Sequence, residues 1–431
     1  MAIRAPFLKT RYGAYHHREV PEEDTSLTHV GPATPCGEYL RRYWQPICFS
    51  DDLNELPLRV TILGEDLVAF RDQSGAVGLL ELHCPHRGTS LEFGLIDAGG
   101  IRCCYHGWLF APDGTILETP GEPADSTLKD RLCHGAYPTH EHNGIVFAYL
   151  GPPEQRPPFP MYDSFARSGY RLIPGKKYFY PCNWLQIMEN AMDPAHTAFL
   201  HTIVSGSQFT NEFGVLPELE FVETPIGMIY VATRRVGQNI WARMVEAVLP
   251  NLQQVAPIWE DGQHEHAFSG PMMTRWIVPL DDTNTMLIEY RHVSETEGVT
   301  PAWWADRGIM LPGQLAADSY EDGQRRPGDY EAQVSQRPIA VHGMEHLGTT
   351  DRGITTLRGL IRKGIRAVKA GGEPVGLFRD GGGVIPTYCN NTVVRVPPAK
   401  TPEADKKLMR EIGRRLARGY IETPPLLAAA E

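Results

Sequence analysis

Nowhere in the 431-residue chain is there an apolar run approaching the roughly 20 residues of a membrane-spanning helix, so no membrane segment is expected. The first twenty residues, MAIRAPFLKTRYGAYHHREV, lack the apolar segment of a secretory signal. That points to a cytoplasmic protein whose thiols stay reduced and free to bind metal. Long basic clusters are missing outside the C-terminal tail, and the formal net charge is −11, which argues against nucleic acid as a partner. No Gly-x-Gly-x-x-Gly follows a strand, and there is no Cys-x4-Cys-x2-Cys run. The chain is therefore expected to carry neither a dinucleotide site nor a plant-type ferredoxin cluster. Internal repeats and low-complexity tracts are absent as well.

What is present has a globular make-up, 42% hydrophobic, 22% charged and 9% aromatic. The length calls for two or three domains. Residues 1–40 are polar and mixed and read as an N-terminal arm. Short β-branched and aromatic runs (LRVTILG, EDLVAF, VGLLEL, GIVFAYLG), divided by Gly, Asp and Asn turns, mark a small all-β unit over 41–152. The proline-rich segment over 153–162 cannot continue a sheet and reads as a linker. In the remainder, 163–431, NWLQIMENAM has helical spacing, and MIYVATRRV, EAVLP, TRWIVPL and TMLIEYRHV are strand-like. Residues 301–346 show little periodicity and are expected to form an ordered loop or a few short helices. GITTLRGLIRKGIRAVKAG and PEADKKLMREIGRRLARGYI read as amphipathic helices, the second a charged surface one.

The densest chemistry lies in HCPHRGTSLEFGLIDAGGIRCCYHGWLF, residues 83–110, which holds three of the eight cysteines and three of the sixteen histidines. Cys84-x-His86 is followed after sixteen residues by Cys103-x-x-His106. Two Cys–His pairs can hold one zinc, or an iron–sulfur centre in which two histidines replace two cysteines on one iron. Zinc fingers pair cysteine with cysteine; here each loop supplies one of each, which suits a two-iron cluster gripped from both sides. Gly88 and Gly107 let the backbone turn close to the sulfides, Pro85 stiffens its loop, and nearby amides can donate to the sulfurs. CPHRG…CCYHGW resembles the cluster motif of Rieske iron–sulfur domains of aromatic-ring oxygenases. The resemblance leaves Cys104 and His83 outside the ligand set, and Trp108 and Trp184 are expected in the core.

About ninety residues on, NWLQIMENAMDPAHTAFLH contains Asp193, His196 and His201. On a straight helix the two histidines would point about 140° apart at roughly 100° per residue. Pro194 forces a break after Asp193, and the irregularity is expected to let the imidazoles converge. Downstream of a Rieske motif, this pattern resembles the catalytic domain of Rieske oxygenases, in which two histidines and one carboxylate bind a mononuclear Fe(II). Asp318, Glu321, Asp322, Asp329, Asp351 and Asp380 all follow. EHLGTTDRGITTLR resembles the family segment that supplies the carboxylate, which selects Asp351. The resemblance also gives Asp193 the role of linking His196 to His106 of a neighbouring subunit, with helix capping as the competing reading. Asn190 and Glu189 are candidates to line the iron pocket. His264 and His266 read as exposed.

The resemblance implies an α+β chain, an all-β Rieske domain joined to a helix-grip (START-like) catalytic domain with an antiparallel sheet and C-terminal helices. It implies the oxygenase component of a two-centre system carrying a [2Fe–2S] Rieske cluster and a mononuclear iron. O2 and a small aromatic, carboxylated or phenolic, are the expected substrates. A separate NAD(P)H-dependent flavin or ferredoxin reductase supplies electrons, and the expected assembly is a homotrimer or a hexamer of stacked trimers. GPATPCGEYLRRYWQP, ILGEDLVAFRD and NWLQ…EN resemble the group of phthalate dioxygenase and dehydrodivanillate O-demethylase, so oxidative O-demethylation stands beside ring hydroxylation. A Rieske electron carrier is the alternative from another class, and the second metal motif counts against it.

Overall fold

The computed structural model describes residues 8–16, 20–258, 265–295, 313–379 and 383–428. Three small antiparallel sheets precede the Pro-rich segment. One pairs Trp44–Phe49 with Ile145–Tyr149 and Thr139–His142; a second is the meander Leu58–Ile62, Glu65–Arg71, Val77–Glu81. The third joins Leu95–Asp97, Gly100–Arg102, Leu109–Phe110 and Ile116–Glu118. The hairpin strands fall on the apolar runs seen in the sequence. A separate apolar cluster, including Val68, Phe70, Leu91, Ile101 and Phe110, lies under the two Cys–His loops.

The larger unit is one eight-stranded antiparallel sheet. Across it run Tyr170–Tyr180, Thr285–Ser294, Met273–Pro279, Leu252–Val255, Asn239–Val248, Gly227–Val236 and Glu218–Thr224, and Asn390–Arg395 also pairs with Asn239–Val248. Side chains alternate between its faces. Arg243 and Val245 point to the cavity described below. Glu246, between Val245 and Ala247, is fully buried on the other face, where its Oε2 accepts the Tyr388 amide at 2.7 Å.

Helix Pro402–Glu422 packs over the edge strand Glu218–Thr224 and its neighbour Gly227–Val236. Its basic face pairs with the sheet, Arg410 with Glu218 at 2.5 Å and Arg414 with Glu220 at 2.6 Å. Helix Arg352–Lys369 packs beside Pro35–Leu40, and contact is so close at Gly364 that a Cβ there would sit 2.4 Å from the Tyr39 ring. Among the described residues no helix is long and apolar enough to cross a membrane.

The first forty residues are an arm only in part. Leu27, Val30, Cys36, Tyr39 and Leu40 are fully buried, and the Trp184 indole N–H donates to the Leu27 carbonyl at 3.2 Å. The Pro-rich segment is likewise held: the Trp44 indole donates to the Pro157 carbonyl at 3.0 Å and Phe159 stacks on His140 with centroids 4.3 Å apart. Gln45 and Asn251 exchange amide hydrogen bonds between the two units. A continuous apolar core joins Phe147 on one side to Trp276 on the other.

One buried charge cluster ties the long helix to the metal-bearing segment. Arg358 reaches Glu189 at 2.5 Å and Glu345 at 2.6 Å, and only 7% of its side chain is exposed. Burial pushes the Glu189 carboxyl up while Arg358 pulls it back down. Removing the cation strands the buried Glu189 carboxylate and leaves the partly exposed Glu345 beside it. Arg358→Leu is expected to cost about 3–5 kcal/mol of unfolding free energy, whereas Arg325→Leu, which breaks the exposed pair with Glu321, is expected to cost about 1 kcal/mol at most. Melting temperatures of the two variants check the contrast.

Candidate metal centres

The two Cys–His loops repeat one backbone design. The Cys84 amide bonds to Thr89 O at 2.9 Å and the Gly88 amide to Cys84 O at 2.8 Å; the Cys103 amide bonds to Trp108 O at 2.8 Å and the Gly107 amide to Cys103 O at 3.0 Å. Gly88 and Gly107 close these turns at φ +77° and +75°, a region where a Cβ is strained. Both thiols are buried, Cys84 2% and Cys103 3% exposed. The rings of His86 and His106 lie 4.5 Å apart, nearer the surface, and Trp108 stacks flat on His86 at 4.8 Å.

Burial pushes the Cys84 thiol up to about 11 and the adjacent Cys103 adds to this, against the pull of the His86 and Arg87 amides. Two buried thiols side by side, with amides aimed at the Cys84 sulfur, suit a bound cation that would take the place of their protons. The donor set, two sulfurs inside and two imidazoles outside, fits a Rieske cluster. Cys104 is exposed, and His83 turns to Gly88 O at 3.1 Å on an exposed edge.

The second centre is built on a break. Helix Trp184–Asn190, N-capped by Asn183, ends before Asp193-Pro194; a short turn His196–Ala198 then opens into a π-helical stretch, Phe199–Val204. In a π-turn residue i bonds to i+5, and five is the separation of His196 and His201. The wider turn brings round the imidazole that a regular helix would aim elsewhere. Their rings stand 5.3 Å apart, His201 buried and His196 half-buried.

The carboxylate facing them belongs to Asp329, at the start of helix Asp329–Val334. Its Oδ1 lies 3.4 Å from His201 Nε2 and 3.7 Å from His196 Nε2, and the donor atoms of the three residues all fall within 4.8 Å of one another. Asn190 Nδ2 donates to Oδ1 at 3.3 Å and the Gln314 amide donates to Oδ2. Burial by itself would raise this carboxyl; His201, His196 and Gln314 outweigh it and hold it well below the usual carboxylate range. Burial opposes a proton on His201, but Asp329 and Gln208 more than offset it. A buried carboxylate that stays ionised against two imidazoles is the donor set of a facial triad.

Each histidine is also gripped from behind. His201 Nδ1 meets Gln208 Oε1 at 2.7 Å, and Gln208 Nε2 donates to Pro327 O at 3.3 Å. Ser205 Oγ donates to the same carbonyl at 2.6 Å. The π-helical stretch and the segment bearing Asp329 are thus tied together two residues before the carboxylate. His196 Nδ1 is buried without a hydrogen-bond partner, 3.7 Å from Asp193 Oδ2. The other oxygen, Oδ1, accepts the Ala195 amide at 3.0 Å. Asp193 thus braces the turn through one oxygen and faces His196 with the other, while the N-cap position of the following turn falls on Ala195.

Asp351 is not brought to this cluster. It stands at the N-cap position of helix Arg352–Lys369 and closes the short turn Thr349–Asp351 before it, its Oδ2 accepting the Gly348 amide at 2.6 Å. The Thr-Thr-Asp-Arg-Gly stretch that suggested a ligand is a helix-start signal. Among the other acidic candidates, Asp318, Glu321 and Asp322 are exposed, and Asp380 lies outside the described residues. Nothing near Asp329 in sequence announces its burial. Gln208, a lone polar residue after the metal-bearing turn, carried no signal either. Of the neighbours, Asn190 reaches the site and Glu189 does not, being held by Arg358. His264 lies outside the described residues; His266 is half-buried, facing Asn391 at 3.2 Å.

A cavity of about 90 Å³ opens beside the triad, walled by Phe209, Phe213, Val245, Val255, Met272 and Met273. Arg243 and Arg275 also line it. On the Asp193 side a wider groove of about 530 Å³ runs past Leu200, Ala340, Met344 and Leu347.

Residues 43–132 match the model of the Rieske [2Fe-2S] domain, and residues 148–304 match that of the LigXa C-terminal domain like family. The chain is 42% identical over 426 residues to the oxygenase subunit of tert-butanol monooxygenase / tert-amyl alcohol desaturase of Aquincola tertiaricarbonis, covering 93% of this chain and 90% of that one. It is 38% identical over 396 residues to the phenoxybenzoate dioxygenase subunit alpha of Ectopseudomonas oleovorans, covering 88% and 93%. In fold it is similar to NdmA of Pseudomonas putida CBB5, solved as a QL mutant with caffeine, at a TM-score of 0.60 and 17% identity over 81% of this chain and 100% of that one. The chain belongs to the Rieske oxygenase family, as an oxygenase (alpha) subunit with a [2Fe–2S] cluster and a mononuclear iron.

Proposed function

We propose that this chain is the terminal oxygenase that uses O2 and reductase-derived electrons to hydroxylate an aromatic compound in the cavity beside His196, His201 and Asp329. The observation that carries the reading is the convergence of those three side chains, two of them deeply buried, on one point next to an apolar wall. His196, His201 and Asp329 would hold the mononuclear iron, and Cys84, His86, Cys103 and His106 the cluster. When bound, the two centres supply stored electrons and a place for O2 to react next to the substrate.

The chain's own residues set the conditions. Gln208 fixes the outer nitrogen of His201 and so its tautomer, and Asp193 Oδ2 faces the outer nitrogen of His196. Phe209, Phe213 and Met273 exclude water from the substrate position. Ring hydroxylation and O-demethylation begin from the same site, and the product separates them: added oxygen on the ring, or formaldehyde.

Asp193 is the electron link. Its Oδ2 faces His196 and the groove side of the site, and the cluster end exposes Tyr105 against His106. A second copy seating that tip in the groove would bring its His106 to Asp193, and a closed ring of three such contacts gives a homotrimer, which stacking would extend to a hexamer. Electrons then come from a separate NAD(P)H-dependent reductase.

Asp329→Ala is expected to lose the mononuclear iron while retaining two irons per chain in the cluster; Asp351→Ala is expected to keep both. Iron and acid-labile sulfide analysis of the two variants decides the ligand. Asp193→Asn is expected to leave all iron bound and cut turnover with reductase at least a hundredfold, as measured by O2 uptake. Normal uptake would remove Asp193 from the electron path.

A further inference from the structure

Arg234 is a deeply buried cation to which neither metal centre gives a task. On strand Gly227–Val236 it stands directly across from Trp241 of the neighbouring strand, and its side chain is 1% exposed. Its Nε donates to Val215 O at 2.9 Å and its Nη2 to Thr197 Oγ1 at 2.8 Å, while Nη1 is buried with no hydrogen-bond partner. The guanidinium carbon lies over the rings of Phe213 and Trp241, 5.1 and 5.2 Å from their centroids. These described partners are a carbonyl, a hydroxyl and two rings, none of them charged. Burial pulls the guanidinium down to about 9, with Tyr230 opposing the fall and Arg243 adding to it, so the side chain is still a cation at neutral pH.

A guanidinium carried this far from water among neutral partners is costly, and ring faces offset only part of that. What it holds is the turn that carries His196. A guanidinium can only donate, so the Thr197 hydroxyl accepts from Arg234 and its single proton goes to Pro194 O, 2.8 Å away. The chain from Arg234 through Thr197 to Pro194 therefore runs in one direction, and the charge at its head strengthens the bond behind it. Between Pro194 and Thr197 lie His196 and Ala195, whose amide fixes Asp193 Oδ1. Asp193 and the His196 ring thus hang from one turn, and Arg234 grips that turn from the sheet. The lock of Ser205 and Gln208 on Pro327 O acts farther along, on the side of His201.

We infer that Arg234 is a positioning residue of the mononuclear iron site: through Thr197 Oγ1 and Pro194 O it sets the angle at which His196 faces the metal and Asp193 faces His196. It is not among the cavity walls and acts through the turn alone. The inference rests on His196, His201 and Asp329 as the iron ligands, and it is independent of which substrate is oxygenated. Thr197 is the relay, and its hydroxyl, not its bulk, carries the effect.

The test reads the iron site of the whole enzyme with its cluster oxidised and with neither reductase nor substrate present. Two quantities are measured: Fe(II) affinity at the second site, by competition with a ferrous chelator, and the EPR signal of that iron after addition of nitric oxide. Thr197→Val, which removes the hydroxyl with little change of shape, is expected to weaken Fe(II) binding at least about tenfold and to change the rhombicity of the signal. Thr197→Ser, which keeps the hydroxyl, is expected to retain the wild-type signal and affinity. Arg234→Met fills the space without donors and is expected to match Thr197→Val. The double variant is expected to be no weaker than either single one, because both cut the same chain. The visible spectrum of the cluster is expected to stay unchanged throughout. Should Arg234→Met fail to fold, the valine and serine variants at position 197 still decide. A valine variant with wild-type affinity and signal, or a serine variant as impaired as the valine one, would overturn the inference alone. A wild type that takes up no iron at the second site would overturn it together with the reading of His196, His201 and Asp329 as ligands.

Discussion

The structure turns on one buried carboxylate that has to stay ionised. Asp329 is almost wholly removed from water, and what keeps it charged is a pair of imidazoles more than a hundred residues earlier in the chain. An isolated carboxylate in that place would take up a proton. For the arrangement to persist, two segments with no sequence proximity must be locked at ångström precision. The lock is local and polar: Ser205 and Gln208 both donate to Pro327 O, and Gln208 also takes the back of His201. A second constraint is steric. Gly328 packs on Gly313 so tightly that a Cβ would stand 2.2 Å from the Gly313 Cα, and the contact sets Gln314 beside Asp329.

The large sheet divides the remaining tasks between its faces. Its cavity face carries arginines, glutamines and apolar residues around the triad. Its other face joins the cluster-bearing unit through Trp276, Asn251 and the Pro-rich segment. Substrate chemistry and the rigid attachment of the electron-carrying unit are thus backed by the same strands.

Legibility followed sequence distance. The Cys–His loops are each complete within five residues, and their residue types and spacing already fix which atoms can meet. The strands and both long helices carry their periodicity in short windows. His196 and His201 were readable as a pair, but a regular helix would have separated them, and the π-turn that unites them has no distinct sequence signature. The third carboxylate was not readable. Asp351 sits in a more conspicuous motif, yet the conspicuousness is that of a helix start, since Asp preceded by Gly-Thr-Thr satisfies an orphan backbone amide. Asp329 follows Pro-Gly and looks like any surface turn until the fold buries it. Burial is a property of the whole chain, and no window of residues contains it.

Asp193 shows how much one carboxylate can be asked to do when its two oxygens are treated separately. Oδ1 is fixed from within by the Ala195 amide, so the side chain cannot rotate toward whichever partner arrives. Oδ2 is thereby left at a set angle beside His196 Nδ1, an atom that is buried and otherwise unpartnered. The orientation is set locally, by the turn that Pro194 imposes. A longer side chain at this position would have to give up either the bond to the Ala195 amide or the reach to His196. The same turn that breaks the helix therefore decides both where the metal-binding segment begins and which direction its outer carboxylate faces.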